Sequence, residues 1–461
     1  MTDTPEPGGI DLDDITPRLK AVNDHLRTVA APVTGDLKRR EADALLRSYL
    51  EPGGFSEAVR KLAIRHLLVL VGDDDTGRRL GAIALLSRMS LAESRITVLS
   101  PATTASELLT ATEYGPGRAY LLYDWITAST DRIELVNLSR KLAELGSYLV
   151  VTRDGPLSQA IEVEQPWAVP DPRELFDLCL SAFGLRAGRS SEELAHARDL
   201  APTLPTPAAV VRLAGRLTSD DAPENEEVAA WFDTKPPMRE VLAAAAPAFA
   251  HGLQETVFEP LLARLEGLCG EQPPSGPHPL LTVSDGLVVF RAPGQRAQVP
   301  AELRAQVLAE LRAQVLAELV ARYGYWVWQP LREWIRSLAR EGPEVGVRVA
   351  EGVALLAACS FDETRQEIVE VWARGGAGER EMAGHVLSYM CADDTLAPKA
   401  LRLALNWAAA DDTATTAALA LAGGLSVRYP EDAAKHLRLL AAGDGPAAPM
   451  AEQALALVPA P

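Results

Sequence analysis

The sequence predicts an α/β domain built on a parallel sheet, followed by helices that end in an all-α solenoid. First, apolar runs alternate with amphipathic helical patterns through the first third of the chain, as in a parallel sheet covered by helices on both faces. Second, the patterns become mainly helical after Asp171. Third, Trp334, Trp372 and Trp407 recur at intervals of 38 and 35 residues, a spacing typical of two-helix repeats.

Composition limits the classes of function. A chain of 461 residues has room for two or three domains. Its net charge of −18 argues against a nucleic-acid partner or an anionic membrane surface. The N-terminus lacks the basic and apolar segments of a signal peptide, and no run of about 18 apolar residues occurs, so we expect a cytoplasmic protein without a membrane span. The four cysteines form no CxxC pair, which predicts reduced thiols rather than a zinc site.

The α/β core is predicted at residues 11–170, after a disordered tail at residues 1–10. Three helical patterns precede the first strand. Strands that are buried on both faces read as continuous apolar runs. Such runs predict strands at residues 66–72, 95–100, 118–125 and 147–155, with a short fifth strand at 165–172.

Three further domains are predicted beyond the core. A small helical lid covers residues 171–222. Residues 223–299 combine helices with a hairpin that turns at Asp285-Gly286, which suggests a winged-helix-like unit. Residues 300–461 form the helical repeats, with an irregular helical bundle as the alternative. The octapeptide AELRAQVL occurs twice in succession, at 301–308 and 309–316, and this duplication is expected to lengthen one helix.

The segment GDDDTGRR, residues 72–79, has the outline of a phosphate-binding loop. Gly72 and Gly77 have the Gly-x4-Gly separation, and they lie between an apolar strand and an apolar helix. Arg78 stands where such loops carry a lysine, and its charge could contact phosphates. Arg79 replaces the hydroxyl residue that binds Mg²⁺, and Thr76 comes three residues too early to substitute for it directly.

Two features at neighbouring strand ends complete this pattern, and one opposes it. Asp124 ends the predicted third strand and could hold Mg²⁺ through water. Thr152 ends the fourth strand and could contact a γ-phosphate. Asp73, Asp74 and Asp75 repel an anion at the loop unless their side chains point outward. A tight βα turn and a solvated strand end remain the structural alternatives.

On these motifs the sequence resembles the AAA+-like STAND class of P-loop NTPases, with a degenerate Walker A motif and HEAT-like C-terminal repeats. The segments that carry the resemblance are GDDDTGRR, YLLYDW, YLVVTRD and the tryptophan-marked helices. It implies ATP and Mg²⁺ as cofactors, Asp124 as Walker B acid and metal ligand, and Thr152 as sensor. The cofactor-binding residues that it implies are Gly72, Thr76, Gly77, Arg78, Arg79 and, as a lid arginine, Arg212.

Three functions are compatible with this sequence. The first is a nucleotide-binding switch or regulatory protein, with weak or absent hydrolysis, that engages a protein partner through its helical repeats. The second is an interaction scaffold that does not depend on nucleotide, and the third is an active ATPase. A homo-oligomer is a further option for the partner.

Overall fold

The chain folds into two units. The computed structural model describes residues 12–89, 95–128, 132–158, 162–184, 190–218, 224–270, 281–284, 286–290 and 301–458, and the predicted tail at 1–10 lies outside them. One unit is Pro32–Ala222, called here the α/β unit. The other combines Met1–Ala31 with Pro223–Pro461 and is called the helical unit. Along the sequence, the α/β unit is therefore inserted into the helical unit.

The α/β unit contains a mixed sheet of six strands. Its strand order is β1-β3-β4-β5-β2-β6, in which β1 pairs antiparallel with β3 and all other pairs are parallel. The predicted parallel strands are confirmed, whereas the edge strand β1 was not predicted. The strands are β1 (Gly35–Leu37), β2 (Leu67–Gly72), β3 (Ile96–Leu99), β4 (Ala119–Leu122), β5 (Tyr148–Asp154) and β6 (Glu164–Pro166).

Helices cover both faces of this sheet. Alternate residues of each strand point to opposite faces, so Leu68 and Leu70 pack on one face while Val69 and Val71 pack on the other. The first face is covered by α3 and α4, and the second by α5 and α6. The helices before and between the strands are α2 (Arg39–Leu45), α3 (Phe55–Arg65), α4 (Arg78–Met89), α5 (Ala105–Thr110) and α6 (Arg132–Glu144).

A small helical cluster completes the α/β unit, in the region predicted as a lid. Asp171 caps its first helix by accepting hydrogen bonds from the backbone N–H groups of Arg173 and Glu174. A core of its own, including Phe176 and Val210, holds the cluster together. Its helices are α7 (Pro172–Phe183), α8 (Ser191–Leu200) and α9 (Pro207–Thr218).

The helical unit begins with α1 (Leu12–Val29) and continues at residue 224. Its first part is α10 (Glu224–Asp233), α11 (Met238–Ala250), α12 (Glu255–Leu268) and the antiparallel hairpin of β7 (Leu281–Ser284) and β8 (Leu287–Phe290). The predicted hairpin is present, although Asp285 of its predicted turn lies outside the described residues. Whether this part is a winged-helix unit stays a prediction.

The rest of the helical unit is an array of helices. Both copies of AELRAQVL lie within one helix, as expected. The three recurring tryptophans are buried between helices, and Trp334 donates a hydrogen bond from Nε1 to the Leu261 carbonyl at 2.7 Å. Within the array, α15 packs on α18, α18 on α20, and α20 on α23. The helices are α13 (Ala301–Arg322), α14 (Tyr325–Leu338), α15 (Pro343–Cys359), α16 (Phe361–Thr364), α17 (Glu370–Ala373), α18 (Ala377–Met390), α19 (Ala397–Ala408), α20 (Ala414–Ala422), α21 (Gly424–Arg428), α22 (Pro430–Ala441) and α23 (Ala448–Leu455), with a π-helical turn at Arg365–Val369.

Helix α1 packs against α18 and α21 of the C-terminal array, although residues 11–170 were predicted as one core. Its buried residues form a stripe spaced by four, three and four positions, which is one face of a helix. The stripe consists of Ile15, Leu19, Val22 and Leu26. Polar contacts fix the register, since Arg18 pairs with Glu381 at 2.6 Å and Asn23 Nδ2 donates to the Ala422 carbonyl at 3.0 Å.

Candidate phosphate-loop site

The loop between β2 and α4, residues 72–77, is called here the glycine loop. Gly72 ends β2, and Arg78 begins α4. Gly77 has a φ of +83° and Asp75 a φ of +59°, so the loop twice enters the left-handed region that glycine adopts most easily. Thr76 turns inward and donates from its hydroxyl to the Asp73 carbonyl at 2.9 Å. The predicted strand–glycine loop–helix arrangement is therefore present.

A close contact fixes α4 against β6 beside the glycine loop. A Cβ atom on Gly81, in the first turns of α4, would lie only 2.0 Å from the Trp167 ring. Trp167 in turn donates its backbone N–H to the Val71 carbonyl at 2.8 Å, just before the loop begins. Only glycine fits at position 81, and this contact holds the start of α4 close to the end of β2.

The Arg78 side chain is buried across the end of β5 and forms ion pairs with carboxylates. Its side chain is only 4% exposed, and its guanidinium donates to the Arg153 carbonyl and to Asp154 Oδ1. Asp74 Oδ1 lies 3.5 Å from Nη2 of the same group. Asp154 faces Gly72 across the sheet register, which brings its carboxylate to the loop. The cation expected to face phosphates is thus already paired.

The electrostatics of Asp154 reflect this crowded arrangement. Burial raises the pKa of the Asp154 carboxyl, the hydrogen bond from Arg78 lowers it, and the nearby Asp74 carboxylate raises it again. The pKa of Asp154 is raised overall, because the desolvation of its charged carboxylate outweighs the stabilisation of that charge by Arg78. An additional anion at this place would add to the same repulsion.

Arg79 forms an ion pair with Asp124, the residue predicted as the Walker B acid. Nη2 and Nε of Arg79 lie 2.8 and 3.0 Å from Asp124 Oδ2. The pair is partly buried, with side-chain exposures of 28% and 19%, and the guanidinium also lies 5.2 Å from the centroid of the Tyr123 ring. The family resemblance implies a Mg²⁺ ion between Asp124 and the start of α4. In this structure the Asp124 carboxylate is instead in contact with Arg79.

Thr152 holds Asp124 in place rather than standing free. The backbone N–H of Asp124 donates to Thr152 Oγ1 at 2.8 Å, and Thr152 Oγ1 lies 3.4 Å from Asp124 Oδ1. The Thr152 carbonyl accepts from the Trp125 N–H at 2.8 Å. These contacts stabilise Asp124 in the left-handed conformation, at a φ of +47°, which a non-glycine residue rarely adopts. The hydroxyl predicted as a sensor is fully buried and engaged locally.

A second buried ion pair, which the sequence did not predict, lies beside the glycine loop. Arg153 Nη2 contacts Glu164 Oε1 of β6 at 2.5 Å, and both side chains are at most 10% exposed. Glu164 also accepts from the Ser158 backbone N–H at 2.6 Å. Opposite charges near the carboxyl end of β5 and at the start of β6, Arg153 and Glu164, are the signal in the sequence that could have indicated it.

The structure brings together all but one of the predicted site residues. Those at the carboxyl edge of the sheet are Gly72, Thr76, Gly77, Arg78, Arg79, Asp124 and Thr152. Arg212 is the exception, since it is exposed on α9 and forms no hydrogen bond or ion pair with another described residue. The residues Asp73, Asp74 and Asp75 are exposed, but Asp74 turns toward Arg78, with its Oδ1 atom 3.5 Å from Nη2 of that arginine.

The residues of this site do not fit Mg²⁺–ATP. Arg79 offers no oxygen to a metal ion, and its guanidinium takes up the carboxylate of Asp124. The five carboxylates of Asp73, Asp74, Asp75, Asp124 and Asp154 and the two guanidinium groups of Arg78 and Arg79 sum to a formal charge of 2 − 5 = −3 at the loop and the strand ends beside it. A polyphosphate would have to displace ion pairs and enter a negative field.

Two wider observations concern the described parts of the chain. No group of three or more His, Cys, Asp or Glu side chains there is arranged to hold a metal ion. No helix of those parts is long and apolar enough to cross a membrane. Comparison of the chain with protein-family models and with curated proteins gave no significant match, so the roles of these residues are inferred from their own geometry.

Proposed function

We propose that the protein is a non-hydrolysing interaction protein: a degenerate nucleotide-binding-like α/β unit joined to a helical unit that binds a protein partner. The observation that carries this proposal is the ion pair between Arg79 and Asp124. In this ion pair the Asp124 carboxylate is neutralised by a side chain of the α/β unit itself. The Arg78 guanidinium is neutralised in the same way by Asp154. The site then contributes rigidity to the α/β unit rather than catalysis.

The partner-binding half of the proposal is supported by the helical array. Successive packing of α15, α18, α20 and α23 is the arrangement expected of stacked helix pairs, which present extended surfaces to proteins. Large apolar side chains remain exposed on it, such as Val371 at 44% and Leu439 at 61%. We propose that this array is a HEAT-like solenoid and that its surface engages a protein, with a second copy of the chain as one option.

The hydrolysis part of the proposal is tested by phosphate release. We expect the wild-type protein with ATP and Mg²⁺ to release phosphate no faster than the Asp124→Asn variant, because Asp124 already pairs with Arg79. Continuous measurement of inorganic phosphate compares the two proteins at equal concentration. Release that is present in the wild type and lost in Asp124→Asn would instead assign an active ATPase.

A second candidate function, the nucleotide-responsive switch, is favoured by the backbone of the glycine loop. Left-handed conformations at Asp75 and Gly77 are those in which successive backbone N–H groups form an anion-binding concavity. In this alternative, a phosphate group would replace Asp154 and Asp74 on Arg78 and so release the end of β5. Nucleotide binding without hydrolysis is its distinguishing outcome.

A further inference from the structure

Helix α1 lies in a groove of the C-terminal array that α18, α21 and α23 form, called here the α1 groove. Gly424 on its floor leaves no room for a side chain, since a Cβ atom there would lie 2.7 Å from Leu26 Cδ1 and 2.6 Å from the Ser388 carbonyl oxygen. Beside it, the Ala422 carbonyl accepts a hydrogen bond from Asn23 Nδ2 at 3.0 Å. The groove is therefore shaped for one closely packed helix.

Charged side chains of the groove contact both halves of the docked helix. Glu381 of α18, whose side chain is 11% exposed, accepts from Arg18 Nε at 2.6 Å in the first half of α1. Arg428 of α21 donates to the Ala31 carbonyl, just beyond the last residue of α1. A cation suits the carbonyl groups at the C-terminus of a helix, and a buried carboxylate needs a basic partner. These two side chains therefore fix the direction of the helix and the place of its basic residue.

Helix α1 is less deeply buried than the helices on which it lies. It has 18 residues, and the buried ones among those described are Ile15, Leu19, Val22, Asn23 and Leu26. By comparison, α18 buries nine of its 14 residues, and α20 buries eight of nine. The whole α/β unit separates α1 from these helices along the sequence. Because elements with few buried apolar contacts open at a lower cost than the core, α1 is expected to leave more readily than α18 or α20 unfolds.

We propose that α1 is a releasable strap, and that the α1 groove then binds an amphipathic helix of a protein partner in its place. This inference rests on the proposed function, in which the helical unit engages a protein. The contacts of α1 state the chemistry of the partner helix. Its apolar residues are spaced by four, three and four positions, and a basic residue directly before the second of them faces Glu381.

A fluorescent synthetic peptide of residues 12–31 is the probe for the binding test, and its anisotropy is followed during titration with the full chain. The Leu26→Ala chain should bind this peptide about 30-fold or more tightly than the wild-type chain does. The reason is that loss of a fully buried leucine weakens the resident α1 and raises the fraction of chains with an open groove. Val29→Ala is the matched control, since Val29 is 55% exposed on the same helix, and it should bind as the wild-type chain does.

Substitutions in the peptide test the recognition by Glu381 without any risk to the fold of the chain. The Arg18→Ala peptide should bind the Leu26→Ala chain about tenfold more weakly than the unchanged peptide, because a charge-assisted hydrogen bond to a buried carboxylate is lost. The Arg27→Ala peptide removes the same charge from an exposed position, where Arg27 pairs only with Asp24 of α1 itself. This control peptide should bind as the unchanged peptide does.

Hydrogen–deuterium exchange of the wild-type chain tests the release of α1 independently. The amides of α1 should exchange at least about tenfold faster than those of α18 and α20, and equal protection would overturn the proposal.

Three binding outcomes would also overturn it. The first is no saturable binding of the peptide to a Leu26→Ala chain that keeps its helical circular dichroism. The second is equal binding of the Arg18→Ala and Arg27→Ala peptides. The third is a wild-type dimer in light scattering that the peptide dissociates, which would assign the groove to α1 of a second copy. A groove that fails these tests leaves the exposed surface around Val371 and Leu439 for a partner, so the proposed function can stand or fail separately.

Discussion

Replacing Arg78 with alanine is expected to lower the free energy of unfolding of the α/β unit by about 2–4 kcal/mol. The substitution removes a guanidinium of which only 4% of the side chain is exposed. It leaves the half-buried Asp154 carboxylate without its main cation and the Arg153 carbonyl without its donor. Because β2 pairs with β5 along its whole length, hydrogen–deuterium exchange of the amides of both strands measures the effect within this unit.

Two further variants separate the ion pair from a general loss of charge. Arg88→Ala removes an exposed arginine at the other end of the same helix, whose ion pair with Glu51 is largely solvated, and should cost no more than about 1 kcal/mol. Adding Asp154→Ala to Arg78→Ala should recover part of the loss, since the uncompensated carboxylate is then gone. An Arg78→Ala variant as stable as Arg88→Ala would show that Arg78 is not the buried partner described above.

Replacing Leu26 with alanine is expected to destabilise the helical unit by about 2–5 kcal/mol, the range for a fully buried leucine. Leu26 is completely buried, and a Cβ atom on Gly424 would lie only 2.7 Å from its Cδ1. The resulting cavity lies where α1 contacts α21, so amide exchange should accelerate in α1, α18 and α21. The amides of β2 and β5 should be unaffected, because they belong to the α/β unit.

Val29 provides the control for this prediction. It is an aliphatic residue of the same helix but is 55% exposed, so Val29→Ala should change stability by no more than about 0.5 kcal/mol. Equal effects of the two substitutions, or faster exchange of β2 after Leu26→Ala, would mean that α1 does not stabilise the array in which it lies here.

The sequence predicts those strands of the sheet that are buried on both faces, because their residues form continuous apolar runs. The run at 67–72 is apolar because β2 is an internal strand that is covered on both faces, and the same holds for β5. The edge strand β1 was not predicted because its three residues, Gly35 to Leu37, are too few and too exposed to form a pattern. The position of α1 was wrong for a related reason: an apolar stripe shows that a helix packs, but not against which unit.

The ion pairs of the site depend on information that spacing does not contain. Arg79 is predicted as a cofactor-binding residue and Asp124 as a metal ligand, but their ion pair is not predicted, because a strand order cannot be derived from local patterns. Asp154 was not considered, yet the pairing of β5 with β2 places it opposite Gly72 and within reach of Arg78. The strand order thus decides which carboxylates lie within reach of the two arginines on the first turn of α4.

The measurement that tests the central claim most directly is the melting temperature of the full chain with ATP, once with Mg²⁺ and once with EDTA. If Asp124 stays paired with Arg79 and Arg78 stays paired with Asp154, ATP has little to bind. The melting temperature should then change by no more than about 1 °C at 5 mM ATP in either buffer. A rise with ATP that requires Mg²⁺ and disappears in Asp124→Asn would contradict the account, because it would show that the acid holds a metal–nucleotide complex rather than Arg79.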